Sequence, residues 1–138
     1  RGLAMAKLNG SVPLPKDFVV SAIYQDLAGP PIEAIYAART TDVAGSLGRP
    51  LAGGAQSVNI PLLRPYQAFE ARIRRLDLRL TKNFKMGNKA RLQANLDAYN
   101  ALNSSAIQAL NKTFGAGWKR PTQILDPRLF QVSAQLSF

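Results

Sequence analysis

The last nine residues of the chain alternate strictly. Phe130, Val132, Ala134, Leu136 and Phe138 are apolar, and Gln131, Ser133, Gln135 and Ser137 between them are polar. A period of two puts the sets on opposite faces of an extended strand; a helix would scatter both around its axis. The pattern recurs upstream. Within residues 91–100, Leu92, Ala94, Leu96 and Ala98 oppose Arg91, Gln93, Asn95, Asp97 and Tyr99. Within residues 75–84, Leu76, Leu78 and Leu80 oppose Arg75, Asp77, Arg79 and Thr81. Phe18, Val20, Ala22 and Tyr24 make a fourth series, less clean because Val19 and Ile23 are also apolar. Residues 2–12 give a weaker fifth, with Ala4, Ala6, Leu8, Gly10 and Val12 on one side.

These runs predict an all-β fold of about five antiparallel strands. The clear ones last about 9–11 residues, the length a tilted strand needs to cross a bilayer. A strand of a soluble sandwich averages about five or six. A large soluble sheet with one wet face is the competing reading. No apolar run is long enough for a transmembrane helix, but alternating strands hide their apolar content from any hydropathy window.

Connection lengths favour the membrane layout. Leu14-Pro15-Lys16 and Gly87-Asn88-Lys89 read as tight turns, whereas residues 27–70 and 101–127 are long connections. Short turns at one end and long loops at the other match outer-membrane barrels. Phe18, Phe84 and Phe138 then fall at the turn end of three strands, as an aromatic girdle would, with Tyr24 and Phe130 nearer the loop end. Lys82 intrudes on the apolar side and is expected to stretch to the interface. Arg74 falls at the opposite, loop end.

The parity of the pattern also predicts a register. Residues 75–84 and 91–100 both direct even-numbered residues to the apolar side, so paired numbers must sum to an even number. A sum of 176 sets Arg79 opposite Asp97, and Gly87-Asn88-Lys89 is an odd-length turn with residues suited to positive φ. A register setting Asp77 against Asp97 would oppose like charges.

From residue 76 onward the chain resembles a known family. Leu76-Asp77-Leu78-Arg79-Leu80-Thr81-Lys82-Asn83-Phe84 resembles a barrel strand of TonB-dependent outer-membrane receptors. The similarity is closest to the large Oar-like type with a carboxypeptidase-regulatory-like N-terminal domain. Asn95-Leu96-Asp97-Ala98-Tyr99-Asn100-Ala101-Leu102-Asn103 looks like a strand end of that family. Thr113-Phe114-Gly115, Trp118, Arg120-Pro121 and Ile124-Leu125-Asp126-Pro127-Arg128 resemble its last outer loop. Gly29-Pro30-Pro31 and Ser46-Leu47-Gly48-Arg49 fit the preceding loop less specifically. Gln131, Leu136 and Phe138 resemble the C-terminal barrel assembly signal, with Ser133 where Gly is usual.

The resemblance implies the C-terminal part of an outer-membrane barrel of about 22 strands, closed by a plug. It implies a bacterial outer-membrane location and uptake of an unidentified solute energised by the TonB complex. The implied partners are outer-membrane lipid, the rest of the barrel and plug, the assembly machinery during insertion, and the TonB complex through N-terminal segments. Five strands are too few for such a barrel, so residues 1–138 are expected to be one part of it, and the start at Arg1 reads as processed or truncated. Arg75, Asp77, Arg79, Asn95 and Asp97 are the lumen-facing candidates, either touching plug or solute or bracing the wall.

Composition narrows the alternatives. With no Cys and no His, thiol chemistry, Cys/His metal sites and a Ser-His-Asp set are excluded. No enzyme activity and no cofactor is expected. Gly53-Gly54 and Gly115-Ala116-Gly117 lack the strand-to-helix context of a phosphate loop. A net charge of +10 raises polyanion binding through Arg72, Arg74, Arg75, Arg79, Lys82, Lys85, Lys89 and Arg91. These bases alternate with leucines and offer no stacking platform, so no nucleic-acid partner is expected. A self-assembling β fragment without transport activity is the alternative function. Residues 104–110 predict a short helix in the second long loop.

Overall fold

The computed structural model describes residues 4–87 and 90–138. It is mostly β, and its sheets are antiparallel. The contacts divide it into two compact units.

The first unit is a five-stranded sheet of β1 (Ala6–Leu14), β2 (Phe18–Leu27), β5 (Ile73–Met86), β6 (Ala90–Tyr99) and β9 (Leu129–Ser137), adjacent in that order. Each expected strand is present. The first begins at Ala6, and residues 1–3 lie outside the described residues. Every partner pair joins residues of equal parity: Gly10 with Ala22, Ala22 with Leu78, Leu78 with Ala98, and Ala98 with Phe130. One face of the whole sheet therefore carries the even-numbered residues of all five strands. The hairpin of β5 and β6 has the expected register, with Arg79 opposite Asp97 and Leu80 opposite Leu96.

The turns follow from residue chemistry. Leu14 pairs with Phe18, so the first turn is Pro15-Lys16-Asp17, one residue later than the sequence predicts. Lys16 and Asp17 take left-handed φ values of 64° and 59°. In the second turn Gly87 has φ 68°, a conformation that costs a residue without Cβ little. The expected turn residues Asn88 and Lys89 lie outside the described residues. The long connections join β2 to β5 and β6 to β9, so both leave and rejoin the sheet at the end away from the short turns. Among the described residues the sheet is open: β1 and β9 are its edges and do not pair with each other.

The second unit comprises Gly29–Ala71 and Ile107–Ile124, drawn from both long connections. β3 (Ile35–Arg39) pairs with β4 (Ser57–Pro61), and β7 (Ile107–Leu110) with β8 (Pro121–Ile124). Between β3 and β4 lies α1 (Thr40–Leu47). Asp42 in its first turn accepts the Arg39 N–H at 3.1 Å, and Gly48 ends it with φ 66°. The two connections meet at a bridge between Ile35 and Thr113, and the Trp118 indole donates to the Glu33 carbonyl at 2.9 Å. Ion pairs Lys112–Glu33 at 3.1 Å and Lys119–Glu70 at 3.3 Å also link them. Ala34 and Ala38 are buried here. At Gly29 a Cβ would collide with the backbone of Glu70 and Ala71, so the close approach of these segments needs glycine.

One expectation is corrected in this unit. Residues 104–110 do not form a helix; Ile107–Leu110 is the strand β7. Its partner β8 satisfies backbone groups that a helix would have bonded internally, and the Ser104 N–H is held by the Asn100 side chain at 3.0 Å.

Candidate functional site

The odd-numbered face of the sheet brings the five candidates Arg75, Asp77, Arg79, Asn95 and Asp97 onto one surface. Direct opposition of Arg79 and Asp97 lets the guanidinium fork meet the carboxylate on both oxygens, Nε–Oδ1 at 2.5 Å and Nη2–Oδ2 at 3.1 Å. The Asp97 side chain is 3% exposed and that of Arg79 48%, so the pair is anchored at the acid and open at the base.

Arg75 and Asp77 stand two apart on β5 and so point the same way. Arg75 Nε donates to Asp77 Oδ1 at 2.9 Å, and Nη2 lies 2.8 Å from Oδ2. Asp77 Oδ1 also accepts the Asn100 backbone N–H at 2.8 Å, tying β5 to the end of β6.

Asn95 links three strands. Its Oδ1 accepts from Thr81 Oγ1 at 2.8 Å and from Gln93 Nε2 at 3.0 Å, and its Nδ2 reaches Ser133 Oγ at 3.3 Å. Of the assembly-signal candidates, Ser133 opposite Asn95 and Gln131 opposite Asp97 share this polar face. Leu136 stands on the other face, opposite Leu92, and Phe138 follows the last residue of β9, fully exposed. Ser133 thus has a job in the sheet that a glycine could not do: it supplies the hydroxyl for Asn95.

Thr81 and Asn100 complete the site and were not among the candidates. Thr81 carries the polar face one step beyond Arg79. Asn100 has φ 47° and is nearly fully buried. Its Nδ2 donates to the carbonyls of Ser104 at 2.9 Å and Asp126 at 2.7 Å, and Oδ1 accepts the Ser104 N–H. Asn103, with φ 51°, accepts the Arg128 N–H in the same region. The signal was available: Asn tolerates left-handed φ better than most residues and here closes a strand.

The polarity of the sheet is inverted. On the central strands β5 and β6, Thr81, Asn95 and Asp97 are 8%, 9% and 2% exposed, whereas Leu78, Leu80 and Leu96 on the even face are 39%, 39% and 46% exposed. Leu78, Leu80, Phe84, Leu96 and Leu136 are exposed on that same face. A sheet folded for water would bury the second set and expose the first.

Charges on the even face gather at its ends. The Lys82 ammonium donates to the Lys16 carbonyl in the first turn and lies 4.4 Å from the Phe18 ring centroid. It reaches the turn end of the sheet. Arg72 and Arg74 stand at the other end beside Asp26.

Among the described residues no three acidic side chains form a set suited to a metal ion. No family model, curated protein or solved structure matches the chain.

Proposed function

We propose that the five-stranded sheet is a segment of the wall of an outer-membrane β-barrel, part of a TonB-dependent transporter for a solute not yet identified. The observation that carries this reading is the inverted polarity of the sheet. An exposed apolar face is at home against lipid, and the bonded polar face against an aqueous lumen. Five strands with free edges would leave backbone groups unpaired in lipid, so β1 and β9 require neighbouring strands.

The aromatic residues add a geometric argument. Phe18 aligns with Lys82, and Phe84 lies two residues further toward the short turns. Phe84 aligns through Leu92 with Leu136, and Phe138 lies two residues beyond that. The line through the three rings therefore drifts four residues over three strand steps. That is about 13 Å along the strands against about 14 Å across them, an inclination of about 40°. Strands tilted by about 35–45° in a membrane barrel would bring such a line level with the bilayer surface.

On this reading Arg75–Asp77, Arg79–Asp97 and the Asn95 cluster line the lumen, brace the wall and present Arg79 to plug or solute. The terminal residues Gln131, Ser133, Leu136 and Phe138 would be presented to the assembly machinery, because β9 is an edge strand whose backbone can accept a partner. Polyanion binding finds less support. β5 sends Arg75, Arg79 and Lys85 to one face and Arg74 and Lys82 to the other, which divides the basic cluster.

Cell fractionation tests the location: the protein should remain with the outer membrane after carbonate washing, and recovery in the soluble fraction would refute the wall reading. Uptake tests the transport claim. Any solute whose entry needs this protein should also need the TonB complex, and uptake that persists without the complex would contradict active transport. The open edges also favour a second reading, self-association of the chain through β1 and β9. Its mark is a ladder of sizes in detergent instead of one barrel-sized species.

A further inference from the structure

The apolar face ends in different chemistry at its two ends. At the short-turn end the one cation on that face among the described strand residues is Lys82, whose ammonium is already engaged by the Lys16 carbonyl and lies near Phe18 and Phe84. At the loop end three arginines gather. Arg72 is neutralised: its Nε lies 2.7 Å from Asp26 Oδ1, and its Nη2 donates to the carbonyls of Ala4 and Asp26. Asp26 serves both Arg72 and Arg74. Arg74 lies 3.8 Å from the same oxygen, with its side chain 62% exposed. The Arg128 guanidinium stands 5.8 Å from the Phe130 ring centroid, on the apolar side, and its backbone N–H is held by Asn103. One of its nitrogens makes a long contact of 3.5 Å to the Ala101 carbonyl.

The two exposed arginines lie at the same end of the sheet. Phe130 aligns through Ala98 with Leu78; Arg128 lies two residues before Phe130 and Arg74 four before Leu78, so both lie toward the loop end. We propose that Arg74 and Arg128 bind the phosphate groups of lipid headgroups in the leaflet at the loop end of the sheet. The inference rests on the membrane-wall reading above. A guanidinium presents a planar fork of donors that matches a phosphate on two oxygens, and an aromatic ring beneath it, as under Arg128, holds the fork at the interface. The occupant is a lipid because both groups rim an exposed apolar face that acyl chains would cover, and both guanidiniums are exposed, Arg74 with its side chain 62% exposed.

The test uses the full protein reconstituted in phosphatidylcholine nanodiscs. These are doped either with phosphatidic acid or with a fatty acid adjusted to equal negative charge. Mass spectrometry of lipids retained after detergent exchange should show phosphatidic acid held in preference to the fatty acid. Each of Arg74→Gln and Arg128→Gln should reduce its retention about fivefold. Arg74→Lys and Arg128→Lys keep the charge and lose the fork, and should give smaller losses. Equal retention in wild type and both Gln variants, or equal retention of the carboxylate lipid, would overturn the proposal. A protein that enters the discs but holds no phosphate lipid sinks this inference alone. Failure to enter any disc removes the wall reading and this inference with it.

Discussion

The sheet and the loop unit bury opposite kinds of side chain. In the loop unit the buried residues among those described are Gly29, Ala34 and Ala38. In the strands of the sheet they are Thr81, Asn95 and Asp97, each with a partner from a neighbouring strand. One chain therefore follows two rules. The loop unit hides small apolar groups among its own segments, and two connections distant in sequence support each other through Trp118, Lys112 and Lys119. The sheet hides polar groups and turns leucines, valine and phenylalanines outward. On the wall reading proposed above, lipid covers the even face, where apolar side chains cost nothing and polar ones must find partners inside.

The comparison breaks most readily at the centre of the even face. Leu96→Arg should cost about 2–4 kcal/mol of insertion free energy if lipid covers that face. Leu47→Arg, an exposed leucine of α1, should change stability by about 0.5 kcal/mol or less. Unfolding in urea from a bilayer measures both. Equal, small effects would mean that water covers both surfaces.

Next in size is the acid at the centre of the polar face. Asp97→Ala leaves Arg79 without its buried partner and should cost about 1.5–3 kcal/mol, the range for a bond to a charged group. Because Arg79 is half exposed, the double variant with Arg79→Ala should recover part of that loss. A double variant no better than the single one would mean that the pair is not the unit of stabilisation.

Gly29→Ala probes the loop unit. The Cβ would meet backbone at Glu70 and Ala71, and relieving that clash should cost about 1–3 kcal/mol locally. Limited proteolysis should cut within Gly29–Ala71 sooner while heat-modifiable migration of the protein is unchanged. Loss of migration would mean that sheet and loops fold as one cooperative unit.

The smallest expected effect is at Ser133. Ser133→Gly installs the glycine usual in the proposed assembly signal and removes the hydroxyl that Asn95 reaches. Stability should fall by about 0.5–1.5 kcal/mol, while the yield of inserted protein should stay level or rise. A fall in both would make Ser133 part of the signal in this chain.

The strands, their faces and the pairing of Arg79 with Asp97 were legible in the sequence because parity carries them. Along residues 76–84, 92–98 and 130–138 the leucines, valine and phenylalanines sit at even positions, so partner sums between these strands had to be even, and charge complementarity chose among the remaining registers. The candidates on β5 and β6 followed from the same parity. The loop unit was not legible. Its strands are four or five residues long and pair across gaps that no period spans. Helix α1 carried a faint signal in Asp42 and Gly48, and residues 104–110 read as helix because their partner strand lies beyond the window of local propensity. Asn100 was missed because its role depends on carbonyls at Ser104 and Asp126, which are brought near only by the chain's return to β9.

Cysteine scanning of the two faces tests the central claim most directly, since the chain has no cysteine of its own. Single cysteines at Leu78, Leu80, Leu96 and Val132, and at Ser21, Thr81, Gln93 and Ser133, would be introduced in the membrane-inserted protein. Each would be treated with a water-borne thiol reagent and with a lipid-confined quencher. The account predicts that even positions are quenched from lipid and unreactive from water, and that odd positions are the reverse, alternating residue by residue along β5 and β6. Water reactivity at Leu78, Leu80 and Leu96 equal to that at Thr81 and Gln93 would contradict it.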